Sequence, residues 1–271
     1  MKNKFVIKNF INSVCIPMLI LVFIFALSSG CFVRKSDVSI SKQAVQYPVK
    51  WYESSLFKIG SDNATSINTK DQLRKLLSMK WYQEIEVISP SDTTQSISVC
   101  TCEQFLEIER KKFEPKKAYE ANAYMALATM SHAVKEIINA KSASVSFLRY
   151  MKLNKKTPDI FPAEMACIPS TTERKRLLSQ KKRDRWSEVN QIKAVKSIDN
   201  LNAVYYDMNG VEQEIEIIGY GDFNHDGIDD ILLLVQNSVT GGSYFTMSLF
   251  ILTKRSSHAT YEVIMEYNLF D

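Results

Sequence analysis

The chain has 271 residues and a formal net charge of +4. Lys2, Lys4 and Lys8 are the charged residues of the first 30, so residues 31 to 271 carry a formal charge of only +1. A near-neutral body offers no general electrostatic case for nucleic acid as a partner, and the basic balance belongs to the N-terminus.

After the three lysines comes the uncharged run "IPMLILVFIFAL" from Ile16 to Leu27, then the small residues "SSGC" ending at Cys31. A basic start, a short apolar stretch and small residues form an export signal. A stop-transfer helix would need about 20 apolar residues. The cysteine directly behind the small residues resembles a bacterial lipoprotein signal, over residues 1 to 31. That resemblance implies cleavage before Cys31 and acylation of Cys31. With Phe32 rather than Asp next, it also implies a mature chain held at the periplasmic face of the outer membrane. Ordinary cleavage after Ser28 is the alternative. More than one acyl chain gives stable anchoring, and residues 31 to 46 read as a polar tether.

Residues 47 to 196 read as a mainly helical part. "QLRKLLSM" from Gln72 predicts a short helix, and the alternation of "YQEIEVI" from Tyr82 predicts a strand. "SPSDTTQS", ending at Ser96, reads as a loop. Thr101 with Gln104 forms a capping-box pattern opening the helix "CEQFLEIERKKF". A further helix runs from Pro115 to about Ala140, with Leu127, Met130, Val134 and Ile137 three or four apart. Its uncharged stretch between Glu120 and Lys135 is too short to span a bilayer and predicts burial by neighbours.

Pro158, Pro162 and Pro169 punctuate an irregular connection. Thr172 then caps a predicted helix with Leu178, Trp186, Val189 and Ile192 on one arc. Residues 173 to 185 hold seven basic side chains against Glu173 and Asp184. Such a stretch suits a solvated face, and it could also dock on lipid headgroups, an anionic glycan or the acidic C-terminal part.

From Ser197 to Asp271 there are twelve acids against Lys254 and Arg255. Here "NAVYYD", "VEQEIEIIGY", "DILLLVQN", "YFTMSLFILT" and "TYEVIMEYN" are rich in β-branched and aromatic residues. Turn signals such as Asn209-Gly210 and Gly241-Gly242 separate them, which predicts an antiparallel meander. The expected fold is therefore α+β: a mainly helical N-terminal part packed on or beside a C-terminal antiparallel β-meander. One unit is expected, with two domains split near residue 197 as the alternative.

Between two of these strands lies "GDFNHDGIDD". Asp222, Asn224 and Asp226 alternate, Gly227 permits a sharp turn, and Asp230 follows. Hard cations such as calcium take six to eight oxygens, and short side chains on a tight loop can converge on one ion. The candidate ligands are Asp222, Asn224, Asp226, a backbone carbonyl at Ile228, and Asp230. Leu233 stands where an EF-hand needs its closing Glu, so the loop is no EF-hand. With a strand on either side, Gly221, Asp222, Phe223, Asn224, Asp226, Gly227, Asp229 and Asp230 resemble the calcium loop of FG-GAP or VCBS repeats. The resemblance implies an ion that staples a hairpin. An Asx-rich turn holding no ion is the alternative. The pattern occurs once, which does not support a propeller.

Cys100, Cys102 and Cys167 remain for an oxidising compartment. A bridge between Cys102 and Cys167 is expected, with Cys100 or a reactive Cys102 thiol as alternatives. His132, His225 and His258 stand in unrelated contexts, and neither His-Glu-x-x-His nor Gly-x-Ser-x-Gly occurs. The expected function is non-enzymatic binding of a protein or envelope component, in the manner of an inhibitor or immunity protein facing a cell-wall-directed toxin. An envelope hydrolase using dispersed carboxylates and a structural spacer are the alternatives.

Overall fold

The structure, a computed structural model, describes residues 45–52, 54–58, 67–148, 151–179 and 183–269. The export signal, the Cys31 acylation site and most of the tether lie outside them. The strands and helices follow in chain order as β1 (Lys50–Trp51), α1 (Ser55–Lys58), α2 (Lys70–Ser78), β2 (Ile85–Ser89), β3 (Asp92–Val99), α3 (Cys102–Ile108) and β4 (Glu114–Pro115). Next come α4 (Ala121–Asn139), α5 (Thr157–Ile160), α6 (Thr171–Leu178), α7 (Trp186–Val189), β5 (Ile192–Ser197) and β6 (Asn202–Asp207). The chain ends in β7 (Val211–Gly221), β8 (Asp230–Val239), β9 (Phe245–Thr253) and β10 (Glu262–Asn268).

The last six strands form an antiparallel meander in the order β10-β9-β8-β7-β6-β5, and β1 pairs with β7 beyond the end of β6. Strand β8 explains why the run "ILLLV" shows no alternation. Ile231, Leu233 and Val235 enter one core with Phe161, Trp186 and Tyr205, while Leu232 and Leu234 enter another beneath α4. A strand buried on both faces needs apolar residues at every position. Each fully buried Leu or Ile contributes about 1.5–3 kcal/mol. In β7 the register shifts between Ile217 and Gly219, so Tyr220 joins the Trp186 side of the sheet opposite Ile231. Gly219 sits where β1 crosses closely, since a Cβ there would come within 3.1 Å of the Lys50 carbonyl.

Helix α4 is covered almost all round: Ala123 through Val134 are buried without a break. Its buried hydroxyls are satisfied within the helix, Thr129 donating to the Met125 carbonyl at 2.9 Å and Ser131 to Leu127 at 2.6 Å. At its C-terminus the Lys70 ammonium donates to the carbonyls of Ile138 and Ala140, meeting acceptors the helix leaves free. Among the described residues no helix is long and apolar enough to cross a membrane.

The expected mainly helical N-terminal part is corrected. Across the structure as a whole strand exceeds helix, 36% against 29%, and a three-stranded sheet, β3-β2-β4, stands within the section expected to be helical. The stretch read as the loop "SPSDTTQS" supplies most of β3. That strand is exposed on both faces from Thr93 to Ser98, so it carries no apolar alternation. The helix expected from Thr172 to Ile192 is also corrected. It ends at Leu178, α7 is a separate turn beginning at Trp186, and Ile192 opens β5, whose pairing with β6 claims its backbone. The cap is Ser170, whose hydroxyl accepts from Glu173 N–H. At α3 half of the expected box forms. Thr101 accepts from Gln104 N–H, while the Gln104 side chain reaches Cys100 N–H instead.

Candidate metal centre

Residues 222 to 229 join β7 to β8, and their short polar side chains hold the turn together. Asp222 accepts two backbone N–H groups, Asp226 at 3.0 Å on Oδ1 and Gly227 at 2.9 Å on Oδ2. Asn224 Oδ1 accepts from Asp226 N–H at 3.0 Å, and its amide donates to Asp226 Oδ2 at 3.0 Å. Asp226 Oδ1 accepts from Ile228 N–H at 2.9 Å. Asp230 Oδ2 reaches back to Phe223 N–H at 3.1 Å and closes the circuit. Two left-handed residues make the bend, Gly227 at φ 85° and His225 at φ 65°. Glycine meets no Cβ penalty there.

The segment after α4 fastens this turn from outside. Lys141 and Asp222 exchange both backbone hydrogen bonds. The Gly227 carbonyl accepts from Ser144 N–H, Val145 N–H and the Ser144 hydroxyl. Asp229 N–H donates to the Val145 carbonyl, and the Ser146 hydroxyl donates to Asp229 Oδ2 at 2.8 Å. His225 Nε2 lies 3.1 Å from the Asn139 carbonyl, which makes it a tie to α4.

The electrostatics are less settled than the hydrogen bonds. Asp230 is wholly buried, and its Oδ1 has no hydrogen-bond partner among the described residues. Burial first, then Asp226 and Asp222, push its carboxyl up to about 6. The Thr253 hydroxyl beside it opposes part of this rise without meeting hydrogen-bond geometry. Burial likewise raises the Asp229 carboxyl against the Ser146 hydrogen bond, and its Oδ1 is also unpartnered. Arg255 approaches Asp226 at 3.5 Å but is half exposed, so water screens it.

Asp222, Asn224, Asp226 and Ile228 lie in this turn, and Asp230, the first residue of β8, reaches back to it through Phe223 N–H. Among the described residues no three His, Cys, Asp or Glu side chains converge as a ready metal cage. The oxygens of Asp222, Asn224 and Asp226 instead face N–H donors, all of them backbone except the Asn224 amide and Arg255 at Asp226 Oδ2. Each carboxylate oxygen has a second lone pair, and the Asp230 carboxylate has the Thr253 hydroxyl beside it without a well-formed bond to Oδ1. An all-oxygen set with a buried, unpartnered carboxylate atom among like charges fits a hard divalent cation.

Ser144, Ser146, Thr253 and Arg255, which complete this neighbourhood, gave no sign in the sequence. They lie on other elements, and no spacing within the loop points to them. Compared with family models, with curated proteins and with solved structures, the chain matches nothing, so the site is read from its own geometry.

The cysteine expectation is corrected. Cys100, Cys102 and Cys167 are free thiols. Cys102 packs in the core beneath α4, whereas Cys167 lies 3.9 Å from the Tyr244 hydroxyl. Burial pushes both thiols up to about 11, which outweighs any activation of Cys102 by the start of α3. Of the basic stretch, Arg174 grips both carboxylate oxygens of Glu266 at 2.7 and 2.8 Å, joining it to the acidic C-terminal part.

Proposed function

We propose that this chain is an exported, lipid-anchored binding module in which the β7–β8 turn takes up one calcium ion as a structural staple. The side chains of Asp222, Asn224, Asp226 and Asp230 would hold the ion, with the Ile228 carbonyl. The observation that carries the reading is the buried Asp230 carboxylate, whose Oδ1 has no well-formed hydrogen bond among the described residues and which has two further carboxylates near it. The ion would supply the positive charge that this carboxylate lacks. Because the turn is bonded to residues 141–146 and to the end of α4, the ion would brace the junction of helix and sheet.

The partner is a protein or another envelope component met at the periplasmic face of the outer membrane, reached through acylated Cys31. By analogy with lipid-anchored inhibitors, capture of a cell-wall-directed toxin is the form of binding such an anchor suits. Equilibrium dialysis of the full-length chain in non-ionic detergent tests the first half. One calcium per chain is expected, with affinity on the order of 100 µM to 1 mM, as in extracellular modules. Affinity capture from envelope extract, in calcium and in chelator, tests the second. A defined partner retained in calcium and weakened in chelator is expected. Dialysis without bound calcium would remove the staple, and turnover of a glycan or peptide without a captured partner would remove the binding role.

A further inference from the structure

A cavity of about 440 Å³ shares no lining residue with the β7–β8 turn. It opens between α3, α4, the stretch around residues 109–115 and the end of β10, and its size suits a small organic ligand. Sequence spacing gave no hint of it, because its walls come from three separate parts of the chain.

His132 of α4 lines this cavity and is 5% exposed. Its ring stacks on Tyr267 with centroids 4.0 Å apart and meets the edge of Phe105 at 5.8 Å. Nε2 lies 3.0 Å from Glu109 Oε1. Burial first, and then Lys135, hold the imidazole down at about 4. The ring is therefore neutral at pH 7. The carboxylate beside Nε2 assigns the proton there, which leaves the lone pair on Nδ1. That Nδ1 is buried and has no hydrogen-bond partner among the described residues.

The other polar atoms of the aromatic wall are engaged. The Tyr267 hydroxyl donates to Glu136 at 2.7 Å, and the Tyr124 hydroxyl to the Phe113 carbonyl at 3.1 Å. What remains for a ligand is ring surface, one acceptor nitrogen, carboxylate and the Lys112 ammonium. Glu109 and Glu114 outnumber Lys112 along the lining, Glu266 being met by Arg174.

We propose that this cleft binds an organic cation, a primary ammonium or guanidinium on an apolar stem, with His132 Nδ1 and Glu109 accepting its N–H groups. A cation supplies both things the cleft lacks, a donor for a neutral imidazole and a charge for the carboxylate. Aromatic faces favour such a group over an anion. The cation could be a free small amine or the Arg or Lys side chain of a protein partner. The inference is independent of calcium in the turn.

Isothermal titration calorimetry of the full-length chain in non-ionic detergent tests it, with agmatine, an acetylated arginine tripeptide amide, and hexanoate as an apolar anion, each in calcium and in chelator. Cation binding in both media is expected, with no heat from hexanoate. Glu109→Gln, on a partly exposed residue, and His132→Phe, which keeps the ring stack, are each expected to weaken it about tenfold or more. Agmatine binding as well as the peptide assigns the cleft to a free amine; binding of the peptide alone assigns it to a partner's side chain. Silence from both cations, binding of hexanoate as strong as that of agmatine, or both variants binding like wild type overturns the proposal. Calcium dialysis is a separate readout, so failure of the staple and failure of the cleft are distinguishable.

Discussion

Replacing Asp230 with asparagine separates the cost of a buried charge from the gain of a bound ion. In the ion-free chain the carboxyl rises from 3.8 to about 6, two units, or about 3 kcal/mol at about 1.36 kcal/mol per unit. The folded state thus holds this proton more tightly than the unfolded state. The stabilisation is full below pH 3.8, is lost as pH rises from there through about 6, and is absent at pH 7. Asparagine carries no charge to bury, but its bond to Phe223 N–H is weaker than a carboxylate's by about 1 kcal/mol. In chelator at pH 7 Asp230→Asn should therefore be more stable than wild type by about 2 kcal/mol. For a domain of this size that raises the melting midpoint by about 4–8 °C. In calcium the order should change. An ion at about 100 times its Kd adds about 2.7 kcal/mol to the wild type and little to the variant. Scanning calorimetry at pH 7 in both media reads the comparison. A variant that melts below wild type in chelator, or a wild type whose midpoint ignores calcium, refutes the reasoning.

Gly227→Ala places a Cβ at φ 85° and 3.2 Å from the Ser144 hydroxyl, so urea unfolding should show a loss of about 1–2 kcal/mol and a weaker response to calcium. A fully retained midpoint would mean that the turn relaxes freely. Cys102 and Cys167, both pushed to about 11, should resist iodoacetamide at pH 8 until urea unfolds the chain. Labelling of either at the rate of an exposed thiol, or a disulfide-linked peptide in a non-reducing digest, would contradict their burial as thiols. His132 should act opposite to Asp230. Its imidazole is held at about 4 against the ordinary 6.5, so the native state binds this proton more weakly. The stability it confers is full above pH 6.5 and is lost as pH falls towards 4, by up to about 3 kcal/mol. Glu109 and Tyr267 touch the ring, Lys135 acts on it through its charge, and Glu136 holds the Tyr267 hydroxyl. Urea titrations of His132→Phe and its parent, both in the Asp230→Asn background, should show a flatter acid slope in the former; equal slopes would place the acid sensitivity elsewhere.

The C-terminal strands were legible because local pattern and tertiary demand agree there. The β-rich runs, Asn209-Gly210 and Gly241-Gly242 mark strands and turns of the meander, with Gly210 at φ 85° and Gly241 at φ 73°. Strand β3 was not legible. Its side chains face water on both sides, so the pairing with β2 is backbone chemistry that leaves no trace in hydrophobic order. β5 was misread for a related reason. Ile192, Trp186 and Val189 are spaced as on a helix, yet the edge of β6 offers Ile192 a ladder.

Sequence by itself determined the meander, the long buried helix through Leu127 and Val134, and the bend that carries Asp222, Asn224 and Asp226 between two strands. Each depends on neighbours a few residues away, whose periodicity and short side chains are written in order along the chain. Tertiary structure alone decided the pairing of β3 and β4 with the strand expected after Tyr82, the burial of Cys102 and Cys167 as free thiols, the serines that fasten the turn, and the meeting of His132 with Glu109 and Tyr267. Those depend on which surfaces the folded chain removes from water together. Burial of that kind sets the reactivity of a thiol, a carboxylate or an imidazole more strongly than the residue beside it in sequence.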